Sequence, residues 1–392
     1  MVMTYQEMCT FEVLYAAYLT ARKRKRSKYG TAQYEANALA CTEKLSHILN
    51  TKTYIPSKFE VFYVYEPKKR LVQAPAFVDK VVLHAITDNI MYKAITDSFI
   101  RDSYASQIGK GMHDGLYRMK CFMLDYYRKN GTAEGWVLKA DVRHFFASID
   151  HDKLKEKLWK LIERREVDPQ IYDLLCTYID TTDGLPLGYQ TSQLLALMFL
   201  DEFDHFVKEQ CGMRYYGRYM DDFFVILPDK RKLQELLVDI RKWMDDIDLE
   251  LNEKTGIFPL RNGIDFLGFH SYLTENGSVV QKLRRDSIKR MKSRLRYWQK
   301  EYPQGNITKE KIKEGFVAWD AHASHGDTYS LRSKFAKQVS ELIGEEVKPR
   351  RKLSAPNAVR NKRRIKQMYY NGKSFSPLIE QTNPDDTAEP WN

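Results

Sequence analysis

Residues 214–227 read RYYGRYMDDFFVIL. The flanks are aromatic and apolar, as in a buried pair of strands, and two adjacent carboxylates, Asp221 and Asp222, sit at the centre. Two-residue hairpin turns favour Asn-Gly or Asp-Gly, because their central residues need positive φ. An Asp-Asp tip therefore costs turn stability and sets like charges side by side. The stretch reads as a β-hairpin whose tip is kept for chemistry, and it raises the question of what lies opposite.

Upstream, WVLKADV (136–142) is a short run of the buried-strand type that ends on a third carboxylate, Asp141. If that strand lies beside the hairpin in one sheet, Asp141 faces the Asp221–Asp222 tip. Three carboxylates there repel unless cations are bound, and hard oxygen ligands select Mg²⁺. Two such ions form the clamp for in-line phosphoryl displacement. Asp150 is a rival to Asp141, but it precedes HDKLKEKLWKLIERR (151–165), where Leu154, Leu158 and Leu161 keep helical spacing, so it reads as an N-cap.

Further out, GLPLGYQTSQ (184–193) is a glycine-punctuated loop leading into the apolar helix LLALMFLDEFDHFV (194–207). After the hairpin, DKRKLQELLVDIRKWMDDI (229–247) is amphipathic, with Leu233, Leu236, Leu237, Ile240 and Met244 on one face. Residues 5–50 read as helical up to and beyond the basic run RKRKR (22–26). SKFEVFYVYEPKKRLVQAPAFVDK (57–80) alternates like a strand pair broken by Pro67 and Lys68-Lys69-Arg70, and a helix follows over 80–95. Residues 282–300 read as a basic helix with Leu295 and Trp298 inward, and the end of the chain is polar. The order strand–helix–helix–hairpin–helix predicts an α+β fold, a sheet with helices on one face.

A chain of 392 residues, 43% hydrophobic, is long for one core and predicts two or three packed units. No apolar run approaches the roughly 18–20 residues needed to span a bilayer. The N-terminal basic cluster follows its apolar stretch, the reverse of a secretory signal. Five scattered cysteines without a CxxC pair fit reduced thiols and argue against a zinc module. The expectation is a cytoplasmic protein with no membrane partner. The net charge of +11 is unevenly placed: residues 281–370 hold about 24 Lys and Arg against about 9 Asp and Glu. Such asymmetry predicts a polyanion partner, the plain alternative being a solvated, salt-bridged helical face.

In chain order, PKKRLVQAPAFVDKVVLHAI (67–86), FIRDSYASQIGKGMHDG (99–115), LKADVRHFFASIDH (138–151), GLPLGYQTSQ, YMDD (219–222), LNEKTGI (251–257) and DFLGFH (265–270) resemble the blocks of bacterial reverse transcriptases. The resemblance runs from about residue 10 to about residue 340. It implies a right-hand fingers–palm–thumb polymerase, antiparallel in its palm sheet, copying an RNA template into DNA with dNTPs and holding the RNA/DNA hybrid. It also implies two Mg²⁺ per active site, with Mn²⁺ as a substitute. The implied division is an N-terminal helical extension and fingers (1–135), palm with the catalytic site (136–275), fingers and palm being interleaved, basic helical thumb (276–345) and a basic, then acidic, partly flexible tail (346–392).

Carried over by residue, the resemblance makes Asp141, Asp221, Asp222 and Lys254 catalytic. Asp141 and Asp221 are metal ligands, Asp222 assists, and the Val142 carbonyl is a backbone ligand. Phe146, five residues after Asp141, is the ring beneath the nucleotide sugar that clashes with a 2′-hydroxyl; its plain alternative is core packing. Arg70 with Lys69 clamps the triphosphate, guanidinium suiting bidentate contact. Lys110, Leu187, Gly188 and Gln190 are nucleotide contacts, and Lys254 is a candidate general acid at the leaving pyrophosphate. Tyr219, Met220, Gly268, Arg284, Arg285, Arg290 and Arg294 are nucleic-acid contacts. For the basic residues the plain alternative is an exposed, solvated charge.

Most relatives carry Gln-Gly and Ser-Pro around the loop, whereas this chain has Leu187-Gly188 and Ser192-Gln193. That form, and AHASHGDTYSLRSK (321–334), resemble the reverse transcriptases of diversity-generating retroelements. These are error-prone at adenine and work with a structured RNA and a small accessory protein. Leu187 in place of Gln removes a polar contact near the nascent base pair, which loosens selection. A defence-associated reverse transcriptase acting with a non-coding RNA is the alternative, and a catalytically silent RNA-binding scaffold is a reading from another class. Phe146 disfavours an RNA-dependent RNA polymerase. The lineage resembled is group II intron-like, and the intron-encoded branch itself ranks lower because no maturase or HNH-type Cys/His module is seen after the thumb.

Overall fold

The computed structural model describes residues 2–65 and 70–350, Arg70 by its backbone alone. Lys68 and Lys69, and the expected tail from residue 351, lie outside the described residues. Two compact units are interleaved along the chain: one takes Met1–Gln107 and Leu138–Ile257, the other Ile108–Val137 and the chain from Phe258.

The expected helical run over 5–50 is four helices, α1 (Tyr5–Met8), α2 (Phe11–Ala21), α3 (Tyr29–Ala36) and α4 (Ala38–Asn50). Leu14, Ala17, Tyr18 and Ala21 give α2 a buried stripe at helical spacing. The basic run forms the exposed turn after it, where Arg22 and Arg26 share Glu35. A hairpin follows, β1 (Glu60–Val64) and β2 (Arg70–Ala74), antiparallel with Phe62 opposite Val72. The next helical stretch is α5 (Phe77–Ile86), a π-helical turn at Thr87–Met91 and α6 (Tyr92–Thr96). In the other unit comes α7 (Met112–Asn130), closed by Gly131 in the left-handed region.

The chain continues through β3 (Trp136–Asp141), α8 (Phe145–Ser148), α9 (His151–Arg164), α10 (Pro169–Ile179), α11 (Gln190–Phe199) and α12 (Asp201–His205). Then come β4 (Tyr216–Tyr219), β5 (Asp222–Leu227), α13 (Lys230–Asp246) and β6 (Gly256–Pro259). The sheet order is β4–β5–β3–β6, so the hairpin and the strand that ends on Asp141 are neighbours. Asp150 caps α9, its carboxylate accepting from the Lys153 amide at 2.9 Å. Asp229 caps α13 in the same way.

The second unit adds a three-stranded antiparallel sheet, β7 (Ile264–Phe266), β8 (Phe269–Leu273) and β9 (Val279–Leu283), then α14 (Arg285–Glu301), α15 (Lys309–Ala323) and α16 (Tyr329–Ile343). The β7–β8 turn is Leu267-Gly268 with φ of 49° and 84°, the positive pair that a two-residue hairpin requires. The basic helix expected from residue 282 begins at Arg285. Val279, Gln281 and Leu283 are buried in alternation, a period-2 pattern that makes this segment a strand. Met291, Leu295 and Trp298 of α14 pack with Ile312 and Phe316 of α15 and Phe335 of α16. Across α15 and α16, Asp320 and Arg332 form a buried ion pair. The same pair holds the main chain of Arg350, whose amide donates to Asp320 at 2.8 Å and whose carbonyl accepts from Arg332 at 2.6 Å.

Candidate active site

Strand β3 buries Leu138 and Ala140, so by alternation Lys139 and Asp141 share the other face, both half-buried. The Asp141 carbonyl accepts from the Asn252 amide at 2.7 Å and the Arg143 amide donates to the Glu250 carbonyl at 2.8 Å, locking the strand end on one side. On the other side the Val142 amide donates to the Asp221 carbonyl at 3.2 Å. In an extended strand a residue's N–H and C=O point the same way. The Val142 carbonyl is therefore turned to the side of Asp221.

The turn itself differs from the expected Asp-Asp tip by one residue. Tyr219 pairs with Asp222, which opens β5, so the turn residues are Met220 and Asp221. Met220 has φ of 55°, an uncommon value for a residue with a side chain, costing on the order of 1 kcal/mol. What holds it is Arg218, which sequence reasoning missed. Its Nη1 donates to the Met220 carbonyl at 2.8 Å, while Nε and Nη2 grip the Asp204 carboxylate at 2.7 and 2.6 Å. Both side chains are completely buried, and the Tyr216 hydroxyl also donates to Asp204. On the outer edge the Arg218 amide donates to the Asp102 carbonyl and its own carbonyl accepts from the Tyr104 amide. The signal was partial: an arginine inside an apolar strand demands a buried acid, and the apolar helix run offers three, Asp201, Glu202 and Asp204.

Asp221 and Asp141 meet carboxyl to carboxyl. Burial first, then the charge of Asp141, pushes Asp221 up to about 6, while Lys139 pulls it down. Asp222 pairs with Lys139. Among the described residues no group of three or more His, Cys, Asp or Glu is placed to hold a metal ion. The structure thus brings together two of the three carboxylates. Two crowded carboxylates beside an inward carbonyl form a hard-oxygen donor set that fits a divalent cation.

Phe146 lies on α8 and packs, partly buried, against the cluster of Ala105, Leu197 and Met220, with Tyr219 on the same cluster. The ring therefore stands beside the hairpin turn. The Leu185 amide donates to the Phe146 carbonyl at 2.7 Å, tying the 184–189 loop to α8. A Cβ on Gly188 would lie 1.9 Å from the Gln73 carbonyl, so only glycine lets the loop meet the end of β2. Leu187 beside it is exposed. The Gln190 amide donates to Asp88, which the π-helical turn presents, while its own side-chain carbonyl is buried without a partner. Lys254 is exposed, three residues past Leu251, the bridge partner of Val142. The Arg70 side chain and Lys69 lie outside the described residues.

The remaining predicted residues belong to the second unit. Lys110 precedes α7. The Gly268 carbonyl accepts from the Arg284 amide at 3.1 Å. Arg284 reaches Asp265 and Asp286, and Arg285, Arg290 and Arg294 lie exposed along α14.

Residues 65–271, more than half of the chain, match the reverse transcriptase (RNA-dependent DNA polymerase) family, and the chain belongs to it. The α+β architecture with antiparallel sheets agrees with a right-hand polymerase fold. The group II intron-encoded protein LtrA of Lactococcus lactis subsp. cremoris is 26% identical over 218 residues, 52% of this chain and 35% of that protein. The protein YkfC of Escherichia coli (strain K12) is 25% identical over 255 residues, 52% of this chain and 65% of that one. The chain thus spans less than two thirds of either relative. The solved apo telomerase of Candida Tropicalis aligns over 76% of this chain and 65% of its own at 12% identity, with a TM-score of 0.45, too low to carry an argument. Among the described residues no helix is long and apolar enough to cross a membrane.

Proposed function

We propose that the chain is an RNA-directed DNA polymerase acting by phosphoryl transfer at the Asp141–Asp221 pair. The observation that carries this is the meeting of those two carboxylates at the hairpin turn, inside the region that matches the family. Asp141, Asp221 and the Val142 carbonyl would hold divalent cations, Mg²⁺ with Mn²⁺ as a substitute, which supply charge neutralisation and an activated 3′-oxygen. The chain's own residues do the rest. Phe146, beside the turn, excludes a 2′-hydroxyl; Arg70 and Lys69 grip the triphosphate; Lys254 donates a proton to the leaving pyrophosphate. The fingers, palm and thumb ranges expected from sequence go with this reading.

The finer reading is an error-prone enzyme of a diversity-generating retroelement, working with a structured RNA and a small accessory protein. It rests on the exposed Leu187 where relatives carry Gln, next to a glycine that the loop cannot replace. Primer extension on an RNA template tests both levels. dNTPs should be incorporated and rNTPs rejected, with chelation abolishing synthesis; failure with dNTPs would sink the proposal. Misincorporation should concentrate opposite template adenine, and uniform fidelity would move the defence reading ahead.

A further inference from the structure

We infer that Asp222 is the counterion of Lys139 rather than a metal ligand, and that Lys139 is a positioning residue that keeps the site at two carboxylates. This rests on reading Asp141 and Asp221 as the metal-holding pair. WVLKADV places a lysine in the middle of an otherwise apolar strand, where a cation needs a partner. Alternation sets Lys139 on the same face as Asp141, two residues away. Its ammonium crosses to the neighbouring strand and meets Asp222, the two side chains being 18% and 31% exposed. The hairpin geometry makes this possible. With Met220-Asp221 as the turn, Asp222 already belongs to β5, and its backbone is fixed opposite Tyr219 rather than free at the tip.

The consequence is electrostatic. Were Asp222 free, three carboxylates would converge and the protein alone would hold a divalent ion tightly. With Lys139 on Asp222, the site offers fewer negative charges, so the ions must be shared with the phosphates of the nucleotide. Removing Lys139 deletes a cation and releases a carboxylate, two changes of the same sign. The pair also ties β3, two residues before Asp141, to the first residue of β5.

The test is Mn²⁺ binding to the full chain without nucleotide, followed by electron paramagnetic resonance. Lys139→Met should tighten binding threefold or more, and Lys139→Arg should stay within threefold of wild type. Asp222→Asn frees the Lys139 cation and should weaken binding, Lys139→Met/Asp222→Asn should return to within threefold of wild type, and Asp221→Asn loses tenfold or more. Loss of threefold or more in Lys139→Met/Asp222→Asn, or no tightening in Lys139→Met, overturns the inference. A second measurement needs no metal: thermal unfolding in chelator of both single variants and of Lys139→Met/Asp222→Asn. A double variant less destabilised than the sum of the singles supports the pairing, and additivity overturns it. If wild type bound no Mn²⁺, the metal reading would fall while the unfolding cycle still judged the pair.

Discussion

Arg218→Met removes the cation beneath the hairpin and leaves its neighbours in place. Asp204 would stay buried with Tyr216 as its remaining donor among the described residues, and the Met220 carbonyl would lose its anchor. Breaking one side of a fully buried pair costs about 3–5 kcal/mol. In a unit of this size that lowers the melting temperature by roughly 6–20 °C. Replacing both partners, as in Arg218→Met/Asp204→Leu, removes the orphaned charge and should recover all but about 1–2 kcal/mol. Polymerisation should not recover with it, because the positive φ of Met220 is still unsupported and Asp221 is the next residue. Circular dichroism melts and primer extension on the single and double variants separate the two effects. A single variant within about 1 kcal/mol of wild type would refute the account of the pair, and a double variant with wild-type activity would refute the role given to the Met220 anchor.

Asp221→Asn should abolish extension and stabilise the metal-free fold. The Asp221 carboxyl sits at about 6 instead of its ordinary 3.8, so its contribution is present below pH 4 and lost as pH rises through 6. In chelator the variant should therefore gain on wild type across that window, by about 1–3 kcal/mol at pH 7, and parallel melting curves at all pH values would contradict this. Phe146→Ala should admit ribonucleotides, raising their relative use tenfold to several hundredfold in single-nucleotide kinetics. Leu187→Gln should leave sugar choice alone and lower misincorporation opposite adenine, read by sequencing the product. Neutralising Arg284, Arg285, Arg290 and Arg294 should flatten the salt dependence of RNA binding by roughly 0.7–0.9 in slope for each phosphate left without its cation, with Arg284 contributing least because Asp265 and Asp286 engage it.

Patterns with a period were legible in the sequence. The hairpin, the strand ending on Asp141, the Asp150 cap and the amphipathic α13 all follow from alternation, helical spacing or capping, which are local rules. The turn was misplaced by one residue because turn preferences look to the turn residues alone, while Arg218 holds Met220 from within β4. Lys139 and Asp222, like Arg218 and Asp204, are partners across distant segments. A sequence shows that such a charge needs a partner without showing which one. The start of α14 was misread because Lys282 and the arginines after it look like helix surface, and only the burial of Val279, Gln281 and Leu283 reveals a strand. The close approach of Gly188 to Gln73 is a packing demand that no local pattern carries.

The clasp of Asp320 and Arg332 on Arg350 bears on where the chain can be shortened. The last helix ends at Ile343, and a cut just after it looks natural on helix boundaries alone. Such a fragment would strip a buried carboxylate of an amide donor and a buried guanidinium of a carbonyl acceptor. It would also strip the Ser340 hydroxyl, near the end of α16, of the Val347 amide that donates to it. The six residues from 345 to 350 thus behave as a layer of the core they cover, and a shortened version that is to stay stable keeps residue 350.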